Sequence, residues 1–305
     1  MAGFHESVLR EEVIHFLVTD RGGTYVDGTV GGGGHAESIC RALTAQGRLI
    51  GFDRDSDALG AAEARLSTLG AAVTLIRGNF ADMAAELRAR GVTRVAGIFL
   101  DLGVSSHQLD AQERGFSFRP GSALDMRMDT RATLSAREVV NTYSEERLAE
   151  ILRMYGEERA ARRIARGIVK ARPVESADDL AAVVRRSAGG RFLTKSLARV
   201  FQGIRIEVNG ELESLRHALQ DVPDLLERGG RCVVISYHSL EDRIVKEFFR
   251  GEAADTIASA HKLLPDHRRS PRLVILTRKP VGASEGECAR NTRARSAKLR
   301  AAERV

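Results

Sequence analysis

A carboxylate set immediately before a run of glycines is the first chemical signal in the chain: Asp27-Gly-Thr-Val-Gly-Gly-Gly-Gly-His35. Glycines there let the backbone turn tightly into a following helix and let a ligand approach the main chain. Asp53 lies 19 residues beyond Gly34, at the end of the apolar run that starts at Arg48. A carboxylate in that place can accept hydrogen bonds from both ribose hydroxyls of an adenosine. Two cofactors suit these residues. Gly31-x-Gly33-x-x-Ala36 matches the dinucleotide fingerprint. Asp27, however, would stand beside a pyrophosphate and repel it. S-adenosylmethionine has no phosphate and carries a sulfonium and an ammonium, so the acid-before-glycine order favours it. His35 could touch the methionyl part of such a ligand or cap the helix it opens. Phe80, in Gly78-Asn79-Phe80, could pack on adenine or serve the core.

A second group of residues could face the substrate. Asp101 closes the apolar run from Val95 and precedes the polar segment Leu102-Gly-Val-Ser-Ser-His-Gln108. In an open α/β sheet, ligands bind outside the carboxyl ends of the strands. Methylating an exocyclic amine requires its nitrogen lone pair to be turned toward the donor carbon. An acceptor for the amine N–H does this, and Asp101 is the candidate, helix capping being its alternative role. In Ser236-Tyr-His-Ser-Leu-Glu-Asp-Arg243, Tyr237 and His238 fall on the ligand side. They could stack on a base, assist proton removal or make core contacts. Ser239 and Asp242 have capping-box spacing. Cys40, Cys232 and Cys288 form neither a metal-ligand spacing nor a disulfide framework, and none sits in a nucleophile motif.

The elements that must position these groups alternate. Strands are expected at 23–27, 48–53, 72–76 and 95–101, with helices at 35–43, 56–69 and 81–90 between them. Near-continuous apolar strands separated by helices imply a parallel sheet covered on both faces. The chain is loop-like from about 103 to 120 and helical from about 135 to 206, with helix starts at Ser135-x-x-Glu138 and Ser176-x-x-Asp179 and a break at Pro173. Strands return at 231–236, after a Gly229-Gly230 turn, and at 273–277. Residues 282–287 read as a surface loop and the tail beyond as basic. The expected fold is a doubly wound, mostly parallel α/β domain over 1–106 and 208–305, interrupted by a loop and helical insertion over 107–207.

The net charge of +6 is unevenly placed. Residues 153–206 hold 13 Lys or Arg against 5 Asp or Glu, and residues 262–305 hold 12 against 4. Such clustering suits a polyanion. With no Trp and 5% aromatic residues, broad base stacking is disfavoured. No membrane-length apolar run and no signal-peptide pattern is present, so a reducing cytoplasm is the expected setting. A homo-oligomer is compatible with the sequence.

Seven motifs occur in order: Asp27–His35, Asp101-Leu-Gly-Val-Ser-Ser106, Arg114-Gly-Phe-Ser-Phe118, Leu124-Asp-Met-Arg-Met128, Tyr155-Gly-Glu-Glu-Arg159, Ser236–Arg243 and Arg293-Ala-Arg-Ser-Ala-Lys-Leu-Arg300. Together they resemble the bacterial ribosomal RNA small-subunit methyltransferase H (MraW) family, from His5 to about Glu303. The resemblance implies a Rossmann-like methyltransferase domain with a helical insertion. It also implies S-adenosylmethionine as cofactor, small-subunit ribosomal RNA or the assembled small subunit as partner, and N4 of a decoding-region cytosine as target. Its cofactor contacts fall on Gly33, Gly34, His35, Asp53, Phe80, Asp101 and Gln108, with Asp27 behind them. His107 and Thr292 stand where the family usually has proline. Asp101-Leu-Gly-Val also departs from the Asp-Pro-Pro-aromatic signature of many amino-methylating DNA enzymes. The rival readings are a nicotinamide-dependent oxidoreductase and an RNA-binding assembly factor that keeps the fold.

Overall fold

The computed structural model describes residues 7–118, 121–189, 193–257 and 267–305, excepting the side chains of Ser106 and His107. The side chain of His107, one of the two departures from the family pattern, therefore lies outside the described residues, as do residues 262–266 of the second basic stretch. The chain divides into two compact units, Met1–Gly103 with Glu213–Val305, and Val104–Leu212. The division falls three and five residues away from the expected boundaries at 106 and 207. The second boundary moves because a single long helix, Leu193–Asn209, runs through residue 208.

The first unit is the α/β layer. After α1 (Arg10–Leu17), β1 (Thr24–Asp27), α2 (Gly34–Ala42), β2 (Arg48–Asp53), α3 (Ser56–Leu66), β3 (Ala72–Arg77), α4 (Met83–Ala89) and β4 (Val95–Asp101) alternate. β5 (Leu226–Ser236), β8 (Leu273–Ile275) and β9 (Lys298–Arg304) complete a seven-stranded sheet of order β3-β2-β1-β4-β5-β9-β8. The first five strands are parallel, and β9 runs antiparallel to both of its neighbours. Strand β4, with Val95 to Leu100 all buried, reads as an unbroken apolar run because both of its faces are covered. One core surrounds Phe52, Ile98 and Leu100, and the other Tyr25, Leu49 and Phe99.

Two expectations needed correction here. The Gly229-Gly230 turn lies inside β5. Val95 pairs with Leu226 and Gly97 with Arg231, so the intervening residues form a bulge, with Gly229 at φ 80°. The expected loop at 282–287 runs into a short helix, Glu285–Arg290, capped by Ser284. The basic tail ends in strand β9, where Leu299 to Ala302 are all buried. Its basic side chains have structural partners: Arg300 Nε donates to Asp242 Oδ1 at 2.6 Å, and Lys298 Nζ lies 3.4 Å from Asp242 Oδ2.

The second unit is helical. α5 (Ser106–Asp110) is followed by α6 (Ala136–Thr142), α7 (Glu145–Met154), α8 (Ala161–Lys170), α9 (Ala177–Ala188) and α10 (Leu193–Asn209). Ser135 with Glu138 and Ser176 with Asp179 form capping boxes at the starts of α6 and α9, as their spacing predicts. In α8, Ala161, Ile164, Ala165 and Ile168 are buried. That spacing directs Arg162, Arg163 and Arg166 outward, so part of the first basic stretch is one face of an amphipathic helix. Arg114 is buried and donates to the carbonyls of Arg127 and Met128. Asn209 accepts from the Met128 N–H and donates to the Met126 carbonyl. The 114–118 and 124–128 motifs thus hold one another and α10.

Helix α11 (Glu211–Leu225), which begins at the unit boundary, returns the chain to β5. α12 (Ser239–Ala253) then leads to a hairpin of β6 (Thr256–Ile257) and β7 (His267–Arg268). No helix among the described residues is long and apolar enough to cross a membrane.

Candidate active site

Adjacent parallel strands bring the acids together. Asp27, Asp53 and Asp101 are the last residues of β1, β2 and β4, so sheet order 2-1-4 sets all three carboxylates at one edge. Each has a distinct environment. The Asp27 side chain is wholly buried. Its Oδ1 accepts the Thr29 N–H at 3.0 Å, while its Oδ2 is buried with no hydrogen-bond partner. Burial, reinforced by Asp101 and Asp53, overrides the Thr29 hydrogen bonds and pushes its pKa up to about 7. Asp53 accepts the N–H groups of Gly31 at 2.8 Å and Asp55 at 2.9 Å. It therefore ties the glycine turn to β2 and keeps further lone pairs for a ligand. Burial still raises it above the usual carboxylate range.

Asp101 keeps a quarter of its side-chain surface accessible. Its Oδ1 accepts the Tyr237 hydroxyl at 2.9 Å, and its Oδ2 lies 3.5 Å from His35 Nε2. Burial raises its pKa to about 7, opposed by the Tyr237 hydroxyl and Arg293 and assisted by Glu241. His35 is buried against the Phe99 ring, with centroids 4.7 Å apart. Burial, with Arg10 nearby, depresses it to about 3. At neutral pH its imidazole is uncharged, so the approach to Asp101 is not an ion pair. Both ring nitrogens are buried without a hydrogen-bond partner.

The glycines divide into two kinds. A Cβ at Gly33, which sits at φ 82°, would stand 3.1 Å from Ala62 Cα of α3, and one at Gly34 would stand 2.3 Å from Ser7 Oγ. These two positions are small so that the turn can pack on its own protein. Gly32 faces open space. The first-turn N–H groups of α2, from Gly34 onward, have no acceptor within the helix and suit an anionic ligand group. Phe80 packs at the rim of the sheet core and its Cβ lies 3.0 Å from a Cβ built on Gly28.

The substrate-side motif splits as well. Tyr237 reaches Asp101, while its own N–H donates to Glu241 Oε2 at 2.9 Å. Burial and the two acids raise its phenol far above the ordinary range, so it stays a hydrogen-bond donor. His238 is the N-cap of α12. Its Nδ1 accepts the Glu241 N–H at 3.4 Å, and its N–H donates to Glu241 Oε2 at 3.3 Å. The capping box is therefore His238 with Glu241, one residue before the expected Ser239 with Asp242. The geometry differs because Asp242 is drawn to Arg300 and Lys298. Their attraction overrides its burial and holds it below the usual carboxylate range. Gln108 belongs to the helical unit, where it is buried and exchanges hydrogen bonds with Ser105 at 3.1 and 3.2 Å.

Sequence reasoning missed Thr29, Glu241 and Arg293 as members of this site. Thr29 Oγ1 accepts the Asp101 N–H at 2.6 Å and stands 3.4 Å from Asp27 Oδ1, so one hydroxyl joins the Asp27 carboxylate to the main chain of Asp101. Glu241 carried a legible signal, three residues beyond a residue able to cap.

The site suits S-adenosylmethionine. Three carboxylates, an uncharged imidazole and orphaned polar atoms form an electronegative setting that accepts a cation and would repel a pyrophosphate. Comparison with known proteins agrees with this chemistry. The chain is 50% identical to the ribosomal RNA small subunit methyltransferase H of Geobacter sp. (strain M21), over 100% of both chains. It is 50% identical to that of Syntrophotalea carbinolica, covering 99% of this chain and 98% of the relative, and 48% identical to that of Chloroherpeton thalassium, covering 99% of both. Residues 2–305 match the MraW methylase family. The protein belongs to that family of S-adenosylmethionine-dependent methyltransferases.

Proposed function

We propose that this protein methylates N4 of a cytosine in the decoding region of small-subunit ribosomal RNA, on the free RNA or the assembled small subunit, in the cytoplasm. The observation that carries the reading is Asp101: an accessible carboxylate at the end of β4, with one oxygen engaged by Tyr237. Its remaining acceptor capacity suits an exocyclic amine N–H. The names borne by the full-length relatives support the RNA substrate, and the family resemblance supports the nucleotide and position.

The cofactor, when bound, supplies an electrophilic methyl group. Asp53 would accept its ribose hydroxyls, the Gly33–His35 turn and the first turn of α2 would hold its carboxylate, and Phe80 would flank its adenine. The family resemblance alone adds Gln108 to the cofactor contacts. Asp101 orients the amine so that its lone pair faces the donor carbon, and takes the proton the nitrogen sheds. Tyr237 holds Asp101 in that orientation. No covalent enzyme intermediate is required. Burial pushes Cys40 up to about 11 and Cys232 up to about 12, so both remain thiols, which are poor nucleophiles.

Arginines of the helical unit would hold the RNA backbone. Arg153, Arg159, Arg162 and Arg199 line one cleft of about 1580 Å³ within that unit and make no ion pair among the described residues. Five acids share that wall, Glu145, Glu146, Glu150, Glu157 and Glu158; two of them are paired from outside it, Glu145 with Arg166 and Glu150 with Arg147.

The test is transfer of radiolabelled methyl from S-adenosylmethionine to small subunits, and separately to free ribosomal RNA, from a strain lacking the modification, followed by digestion to nucleosides. Label in N4-methylcytidine that Asp101→Ala abolishes in a folded protein supports the reading. No labelled nucleoside, with cofactor binding intact, refutes it and leaves an RNA-binding assembly role.

A further inference from the structure

Strand pairing alone does not hold Asp101. Main-chain pairing of β1 with β4 ends at Asp27 and Phe99, while pairing of β4 with β5 continues to Asp101 and Ile235. On the β5 side the chain is fixed further by the Leu102 N–H, which donates to the Ile235 carbonyl at 2.9 Å. On the β1 side the chain has already turned toward α2. The acceptor for the Asp101 N–H there is a side chain, Thr29 Oγ1 at 2.6 Å. One hydroxyl continues the ladder past the end of β1.

Thr29 is itself oriented. Its N–H donates to Asp27 Oδ1 at 3.0 Å, and its hydroxyl makes a long hydrogen bond of 3.4 Å to the same oxygen. A proton on the other oxygen of Asp27 leaves Oδ1 an acceptor. The hydroxyl proton is thus drawn to Asp27, and the oxygen lone pairs face the Asp101 N–H. Gly28 lets the turn lie this close to β4. A Cβ there would stand 2.4 Å from Leu100 Cδ2, and the Gly28 N–H donates to the Phe99 carbonyl at 2.9 Å. The next two residues are tied to β2: the Val30 N–H donates to the Phe52 carbonyl at 3.0 Å, and the Gly31 N–H to Asp53 Oδ2 at 2.8 Å. Residues 28–31 therefore join the acid assigned to the ribose to the acid assigned to the amine.

We propose that Thr29 is a positioning residue for methyl transfer: its hydroxyl, oriented by the buried Asp27, fixes the main chain of Asp101 against the cofactor turn and so sets where the accepting carboxylate stands. Tyr237 holds the side chain of Asp101, and Thr29 holds its backbone. The proposal rests on the amine reading of Asp101. It gives the sealed acid before the glycines a task that needs no contact with a ligand. In-line transfer requires the nitrogen to meet the donor carbon, and a displacement of about 1 Å costs on the order of a hundredfold in rate.

The experiment compares Thr29→Val, which keeps the shape and removes the hydroxyl, with Thr29→Ser, which keeps the hydroxyl. Three quantities are measured on the full chain. They are total labelled methyl transferred to small subunits at saturating cofactor, S-adenosylmethionine affinity by calorimetry, and hydrogen exchange of the Asp101 amide without RNA. Thr29→Val is expected to lower kcat about ten- to a hundredfold and to leave the cofactor Kd within about threefold. Its Asp101 amide should exchange about tenfold faster or more. Thr29→Ser should return all three to within about threefold of the parent. Cofactor affinity that falls in step with kcat would mean a general loosening of the turn and would overturn the proposal. So would a Thr29→Val protein that keeps its kcat, or a serine variant no better than valine. Should Thr29→Val fail to fold, the parent decides. Its Asp101 amide must exchange as slowly as those of Ile98 and Leu100 within β4, and exchange as fast as that of Gly103 would overturn the proposal. Label in another nucleotide would refute the cytosine assignment and leave these comparisons unchanged, because total methyl and amide exchange do not depend on which position is modified.

Discussion

At the residue scale, the site depends on where a carboxylate ends up rather than on its identity. Asp27, Asp53 and Asp101 have the same side chain, yet burial, backbone donors and the Tyr237 hydroxyl give them three different environments. Asp27 yields a direct stability prediction. Its folded-state pKa stands near 7 and its unfolded value near 3.8. Between those values the folded state binds more protons than the unfolded, so its contribution to stability falls as pH rises. Asparagine keeps the acceptor for Thr29 and carries no such penalty. In the cofactor-free protein, Asp27→Asn should therefore gain stability relative to the parent between about pH 5 and 7, by on the order of 1–3 kcal/mol, and level off above. Thermal melts across that range test this. A constant or shrinking advantage would mean that Asp27 is ionised in the folded protein.

At the element scale, α12 shows how one motif serves chemistry and structure at once. Tyr237 points to Asp101, while the next residue caps the helix. If capping is the main work of His238, asparagine should replace it, because asparagine is among the best N-caps. His238→Asn is expected to keep stability and turnover close to the parent's, whereas His238→Ala should lose about 1 kcal/mol. A tenfold or greater loss of kcat in a stable His238→Asn protein would place the imidazole in the reaction. Strand β9 makes a similar point about charge. Its sequence reads as a basic tail, but antiparallel pairing to β5 and β8 buries Leu299 to Ala302 in succession and gives Arg300 and Lys298 to Asp242. Those two cations are then less available for RNA than the charge count suggests.

At the scale of the whole molecule, the helical unit gathers basic residues open to a polyanion in one cleft, while Arg278, Lys279 and Arg295 of the α/β unit are exposed as well. Each phosphate neutralised releases condensed counterions, so affinity should fall linearly in log–log form with salt. Replacing Arg153, Arg159, Arg162 and Arg199 with glutamine should weaken RNA binding and lower the salt slope by about 3, while cofactor affinity stays unchanged. Filter binding of small subunits or their RNA at several salt concentrations provides the measurement. An unaltered slope would assign the electrostatic contact to other cations.

The sequence by itself determined the strands β1 to β4, the helices between them, the helical insertion and the three carboxylates at strand ends. Those features follow from local rules: unbroken apolar runs for covered parallel strands, side chains that cap nearby N–H groups, and glycine where φ must be positive. It also carried the acid-before-glycine argument for a phosphate-free cationic cofactor, since that rests on charge sign alone. Only the tertiary structure decided that Asp27 is sealed while Asp101 is reachable, that Thr29 joins them, and that Tyr237 spans 136 positions to hold Asp101. It likewise decided that the last strand enters the sheet and claims Asp242. These facts depend on which distant segments become neighbours. A carboxylate's pKa is set by the burial and partners those neighbours impose, and neither is encoded within a few residues of the carboxylate itself.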